Sequence, residues 1–228
     1  QNKFGDVFKS GSDSQQFLTS HAAEQYLKNA NVLTVVRILA NGGGSVAGAT
    51  ATIDTGSVVY SGGSTTSFVL KTISDGSMMN NADTTVTTNN INVSGSKHNI
   101  RYEVSNVNAT KGTFTLAIRR GDDTIKRKQT LETYTNINLD PNSNNFIAKA
   151  IGDQVQTVRT DENGKPFLQL SGSYPNKSRF VIVDTVNTTI DYLDENGNVR
   201  INHASASLPA AGSGSSHGGF SGGSDGHS

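Results

Sequence analysis

The stretch that decides the fold runs from Gly112 to Val158: GTFTLAIRRGDD at 112–123 and KQTLETYTNINLDPNSNNFIAKAIGDQVQTV at 128–158. Phe114, Leu116 and Ile118 alternate with Thr115, Ala117 and Arg119, the period of two of a half-buried strand. A second strand follows in the Thr/Tyr-rich run. Asp140 then predicts a helix cap, with Pro141 at the first helical position, where a missing N–H costs nothing. Phe146, Ile147, Ala150 and Ile151 form the expected apolar stripe, and Gly152 ends it. The QVQTVRT segment predicts a third strand. No residue in the stretch is placed like a catalyst.

Upstream, NIRYEVSNV repeats the alternation, with Ile100, Tyr102, Val104 and Val107 largely on one face and Arg101 and Glu103 opposite. Between residues 41 and 110, short runs (ATATID, VVY, SFVLKTI, TTVTT) are separated by Gly, Ser and Asn clusters, which predicts an antiparallel sandwich or barrel. Residues 13–30 predict a helix, with Leu18, Ala22 and Tyr26 on its apolar face. The run VLTVVRIL (32–39) predicts a strand buried on both faces. Downstream, two Asp-Glu-Asn-Gly turns, 161–164 and 194–197, separate FLQL, RFVIVDTV and NVRI. After Asn202 the Gly/Ser-rich composition predicts a flexible segment. The expected class is α+β and β-rich. It starts with a helix–strand α/β piece (1–40). Antiparallel β regions follow, with a short helix near 141–151.

Lys plus Arg and Asp plus Glu are both 19, so the net charge is zero. A balanced chain lacks the electrostatic footprint of a nucleic-acid or anionic-membrane binder. With no cysteine, disulfides, thiolate metal sites and cysteine nucleophiles are excluded. No apolar run reaches the roughly 20 residues that cross a bilayer. The N-terminal residues are polar and lack the apolar core of a secretory signal. A chain that begins with Gln1 is expected to be processed or part of something longer.

The candidate chemistry is thin. Gly43–Thr50 has the spacing of a phosphate-binding loop, but Ala49 stands where that chemistry needs lysine, so it reads as an interdomain loop. The Asp-Glu-Asn-Gly segments lack the further oxygen ligands of a calcium loop. Arg120-Gly121-Asp122 reads as a charged turn rather than an integrin-type motif. Arg119, Arg120, Lys126, Arg127 and Lys128 are interspersed with Asp122, Asp123 and Glu132, which predicts a solvated or inter-subunit charge patch. His21, His98, His203, His217 and His227 show no ligand spacing. The sequons at Asn92, Asn108, Asn176 and Asn187 matter only in a secreted protein. No catalytic, cofactor-binding or metal-ligating residue is expected, and no enzymatic activity.

Three ordered segments resemble the tail sheath proteins of contractile bacteriophages and related injection devices. Phe4-Gly5, the helix with Phe17 and Leu18, and LTVVRI look like that family's first helix-to-strand unit. FTLAIRRGDD followed by ETYTNINLDPNSNNFIAKAIGD resembles its central run. Phe220–Gly226, with Gly-Gly-Ser-Asp-Gly, is similar to the lead-in of its last domain. The resemblance implies an outer β insertion at 41–110, a middle β-rich domain at 111–203 and a linker at 204–228. It also implies that a C-terminal domain should follow Asp225-Gly226 and an N-terminal arm should precede Phe4; neither is in this sequence. The implied function is structural: neighbouring subunits polymerise helically around a tail tube, in a virion tail assembled in the host cytoplasm. Contraction then drives the tube through the host envelope. The tube and baseplate would be met through parts mostly outside this chain, with no direct nucleic-acid or membrane partner. The alternative is a secreted β-sandwich adhesion or carbohydrate-binding module, for which Tyr60, Tyr102 and Tyr174 are the candidate aromatic platform.

Overall fold

The computed structural model describes residues 18–34, 44–56, 65–81, 83–200 and 207–226. Alternation builds the sheets. Strand β1 (Val46–Asp54) turns Ala49, Ala51 and Ile53 inward, and β2 (Thr66–Asp75) turns Phe68, Leu70 and Thr72 inward. They pair antiparallel, Ala51 opposite Leu70. β3 (Ile100–Asn108), β4 (Thr113–Arg120) and β5 (Thr130–Asn138) form an antiparallel meander, Val104 opposite Leu116 and Leu116 opposite Tyr134. Phe68 stacks on Phe114 with 5.5 Å between ring centroids, so the inner faces of the two sheets share one core. Each such ring contributes about 1.5–3 kcal/mol by leaving water.

Helix α1 (Leu18–Leu27) precedes the sheets, and helix α2 (Ile147–Ile151) follows β5. Then come the hairpin of β6 (Val155–Thr160) and β7 (Pro166–Ser171), β8 (Val181–Val186) and the short β9 (Ser224–Asp225). Sheet order is β8-β2-β1-β9, with β3-β4-β5 and β6-β7 separate. Among the described residues the protein is α+β and β-rich, with these antiparallel sheets and two helices. The 41–110 region does not close on itself. β2 pairs with β8, Leu70 opposite Val183, and β3 pairs with β4 across residue 110.

Several elements differ from expectation. The helix predicted at Asp140-Pro141 begins only at Ile147, because the Asn/Ser run satisfies its backbone with side chains. The Asp140 carboxylate accepts from the N–H of Asn142 (2.9 Å), and the Asn138 amide donates to Ser143 Oγ (2.8 Å). Such bonds compete with the helix. Gly152 does end α2, at φ 110°. α1 is described from Leu18, ends at Leu27, and leaves Tyr26 and Leu27 exposed; residues 13–17 lie outside the described residues. In the expected strand 32–39, Val32–Thr34 are irregular and Val32 is 75% exposed; no described strand pairs with them, and 35–39 fall outside the described residues. VVY (58–60) also lies outside them. TTVTT and the described part of NVRI, 198–200, are reduced to single bridges, Val86 with Asn92 and Leu193 with Val199; residue 201 lies outside the described residues.

The largest departure is the segment expected to be flexible. Residues 207–226 lie as a strap across the edges of β1 and β3. Val104 N–H donates to Ser213 O (2.8 Å), Tyr102 N–H to Gly218 O (2.7 Å), and Thr50 N–H to Ser221 O (2.7 Å). Leu208 and Phe220 are buried in the core. A Cβ at Gly218 would overlap Tyr102 O, and one at Gly219 would overlap Asn81 O. The glycines that suggested flexibility are what let this backbone press against the sheet. Residues 204–206 lie outside the described residues.

Candidate assembly surface

The residues weighed for chemistry are mostly built into the framework. In the phosphate-loop-like segment, Ala49 is buried on β1 and Thr50 bonds Ser221, so residues 46–50 form strand rather than an anion cradle. Arg120 and Asp122 pair with each other, and Gly121 is buried against Asn99; the Arg-Gly-Asp unit is not displayed. Both Asp-Glu-Asn-Gly segments are turns. Asp161 accepts from the N–H groups of Asn163 (2.9 Å) and Lys165 (2.7 Å); Asp194 accepts from those of Asn196 (2.9 Å) and Asn198 (2.8 Å). The Asn198 N–H holds the Asp194 carboxyl below the usual carboxylate range. Among the described residues no group of three His, Cys, Asp or Glu is placed to hold a metal ion. His203, His227 and Tyr60 fall outside the described residues. Tyr102 and Tyr174 are half-buried, edge-on to Phe220 and Phe146, so they form no exposed platform. Two sequon asparagines are occupied: the Asn92 amide bonds Asn81 O in the interior, and the Asn176 amide bonds Gln154 O (2.7 Å).

The charge patch is largely an interior network. Pairing of Arg101 with Arg119 and of Glu103 with Ala117 puts these side chains on the outer face of β3–β4. There the 121–128 loop and the strap cover them. Arg119 forks onto Asp123 (Nε–Oδ2 2.6 Å, Nη2–Oδ1 2.8 Å) and reaches Glu103 Oε2 (2.7 Å). Lys128 Nζ meets Glu103 Oε1 at 2.5 Å. Arg101 Nε lies 3.1 Å from Asp123 Oδ1, close enough for charge attraction though its N–H finds no aligned acceptor. Both guanidiniums donate to Ser215 O. Burial lowers the Arg101 pKa; Asp123 opposes that, Arg119 adds to it, and Glu103 opposes it. Lys126 and Arg127 remain exposed.

The β6–β7 hairpin is different in kind, since all twelve of its strand residues are exposed. Its register sets Gln156 opposite Leu170, Val158 opposite Leu168 and Thr160 opposite Pro166, all on one face. Val158, Leu168 and Leu170 are 69, 56 and 55% exposed. A lone two-stranded hairpin is marginal in water, and its root is accordingly stapled. Asp153 accepts from the N–H groups of Ser173 (2.9 Å) and Tyr174 (2.6 Å), and Asn176 Oδ1 accepts from that of Gln154 (2.9 Å). The result is an arm with a fixed base and an unpartnered apolar face among the described residues. The outer edge of β5 pairs with no other described strand and is bridged only at Asn138, to Phe146, but register shifts near Thr130 and Tyr134 bulge it, which blunts an edge against pairing. The hairpin carries no such shift.

No protein-family model, curated protein or solved structure matches this chain.

The function of this surface therefore rests on its own chemistry. Sequence reasoning found both hairpin strands and their turn but not their exposure; four aliphatic residues in them pointed to burial instead. The buried network was half-visible, in Arg119 and Asp123 four residues apart across a tight turn. On β5, burial pushes the Tyr134 hydroxyl up to about 12, with the Ser178 hydrogen bond opposing and Glu132 adding to it. A raised phenol pKa favours the neutral folded form. Its stabilisation is complete below about pH 10, the ordinary tyrosine value, and is lost as pH rises through about 12. Ultraviolet titration of Tyr134→Phe should lose one late-ionising tyrosine, while Tyr102 and Tyr192, also raised by burial, still ionise above the ordinary value.

Proposed function

We infer that this chain is a structural subunit of a self-assembling particle, of the contractile tail-sheath type. The observation that carries this is the β6–β7 arm. Its apolar face is held out from the body on a stapled root, where a solitary protein gains nothing from it. The ordered resemblance of three sequence segments to sheath proteins supplies the narrower identity. In such a subunit, contacts that do not close on themselves build a helical tube. Work would come from a change between two discrete packings of neighbours, summed over many copies.

Electron microscopy of the concentrated chain, with sedimentation velocity, tests this. Tubes or stacked rings and concentration-dependent association are expected. A chain that stays monomeric at every concentration and binds glycan would sink the proposal in favour of a carbohydrate-binding module.

A further inference from the structure

We propose that the β6–β7 arm is a latched lever: it pivots as a unit at Gln154 and Gly172, and the side-chain amide of Asn176 holds it in its docking position. The use of such a lever rests on the assembly reading, in which an arm stays attached while neighbouring copies repack. The lever itself is a property of one chain.

The body ends sharply below the arm. On the outgoing side, Gly152 O accepts from the Val183 N–H (2.9 Å), which ties the end of α2 to β8. On the return side, Ile151 O accepts from the N–H groups of Lys177 (2.8 Å) and Ser178 (3.0 Å). Tyr174 packs edge-on to Phe146 at 6.1 Å, with Lys149 Nζ 5.8 Å from its ring centre. The Asp153 carboxylate clamps the two limbs together at this level through Ser173 and Tyr174. Above it the support stops. All twelve strand residues are exposed, and among the described residues β6 and β7 pack closely only on each other.

Two residues carry the chain across that boundary. Gly172 has φ 112°, a conformation that residues with a side chain rarely adopt, and a Cβ there would lie 2.5 Å from Asp153 O. Such positions at the end of an element absorb large backbone changes in hinges. Gln154 faces Gly172 next to the Val155–Ser171 pair. Its N–H donates to Asn176 Oδ1 (2.9 Å) and its carbonyl accepts from Asn176 Nδ2 (2.7 Å), so one side chain on the fixed limb supplies both backbone bonds. Both bonds are exposed to water. Each such bond holds against opening by about two- to tenfold. A latch of that strength keeps the arm placed in most copies and still lets it swing.

The absence of cysteine makes the test direct. A nitroxide pair at Glu162→Cys on the tip and Asp184→Cys on β8 reads the arm; Lys111→Cys with Asp184→Cys reads the body. All three positions are exposed. Pulsed electron resonance on the dilute, monomeric chain should give one main distance for the native arm pair. Asn176→Ala should spread it into several, with the body pair and the unfolding midpoint unchanged. In that variant the Gln154 amide should exchange about tenfold faster, while Ser173 and Tyr174, held by Asp153, keep their rates. Asn176→Asp keeps an acceptor for the Gln154 N–H and should spread the arm less. An unchanged arm distance in Asn176→Ala would overturn the lever. So would loosening of the body pair or of the Ser173 and Tyr174 amides, which would make Asn176 a general support of the fold. Where native chains associate, Asn176→Ala should associate about tenfold more weakly, because the arm must then be ordered on docking; equal association overturns the docking position. If native chains never associate while the arm distances respond as expected, the assembly reading falls and the lever stands.

Discussion

Replacing Asp123 with alanine is expected to destabilise the protein by about 3–5 kcal/mol, the cost of removing one partner of a buried ion pair. Asp123, Arg101 and Arg119 have side chains with no exposure. In the intact network, Asp123 and Glu103 balance Arg101, Arg119 and Lys128, leaving one positive charge in excess. Carbonyl oxygens, including that of Ser215, take further guanidinium donors, though not the Arg101 Nε–H. Without Asp123, one carboxylate faces three cations, and the backbone N–H of Gln129 loses its acceptor as well. Asp123→Asn keeps the shape and part of the hydrogen bonding, so its loss should be smaller. Asp122→Ala is the control. Its pair with Arg120 is about a third exposed, and such pairs are worth about 0–1 kcal/mol. Urea unfolding at low and high salt separates the two. The Asp123 effect should persist in salt, where exposed pairs fade. Equal losses for the two variants would contradict the buried network.

Phe220→Ala should cost about 3–5 kcal/mol, the range for removing a buried aromatic side chain. Phe220 has no exposure and sits edge-on to Tyr102 at 6.2 Å. Its backbone is tied to Asn81 from both sides, the Asn81 N–H donating to Phe220 O (2.9 Å) and Phe220 N–H donating to Asn81 Oδ1 (2.8 Å). Loss of the ring should loosen the strap as a unit. Amide exchange should speed up at Thr50, Tyr102 and Val104, which donate to strap carbonyls. A freely moving Gly/Ser tail predicts the opposite: no change in unfolding midpoint and no protection at those amides to begin with.

The strands were legible because a pleated strand has a period of two, and Phe114, Leu116 and Ile118 display it without reference to anything distant. The paired Asp-Glu-Asn-Gly turns and the stop at Gly152 were legible for the same reason; each is a local backbone requirement. The Asp140-Pro141 helix was misplaced because two local signals compete there, a helix start and an Asn/Ser run that bonds its own backbone. Burial of Arg101 and Glu103 was not legible. Alternation said only that they leave the core face, and whether that face meets water depends on the loop and strap that cover it.

The sequence by itself determined the β-rich class, most of the strands, the turns between them and the absence of cysteine chemistry. Those are properties of residues within a few positions of one another. Tertiary structure alone decided which strands pair, that β8 joins β2 from more than a hundred residues away, and that a glycine-rich tail is packed framework. It also decided that an aliphatic hairpin stands out in solvent. Composition cannot separate these outcomes, because a missing Cβ permits both free motion and close packing, and an aliphatic side chain serves a core and an interface equally well.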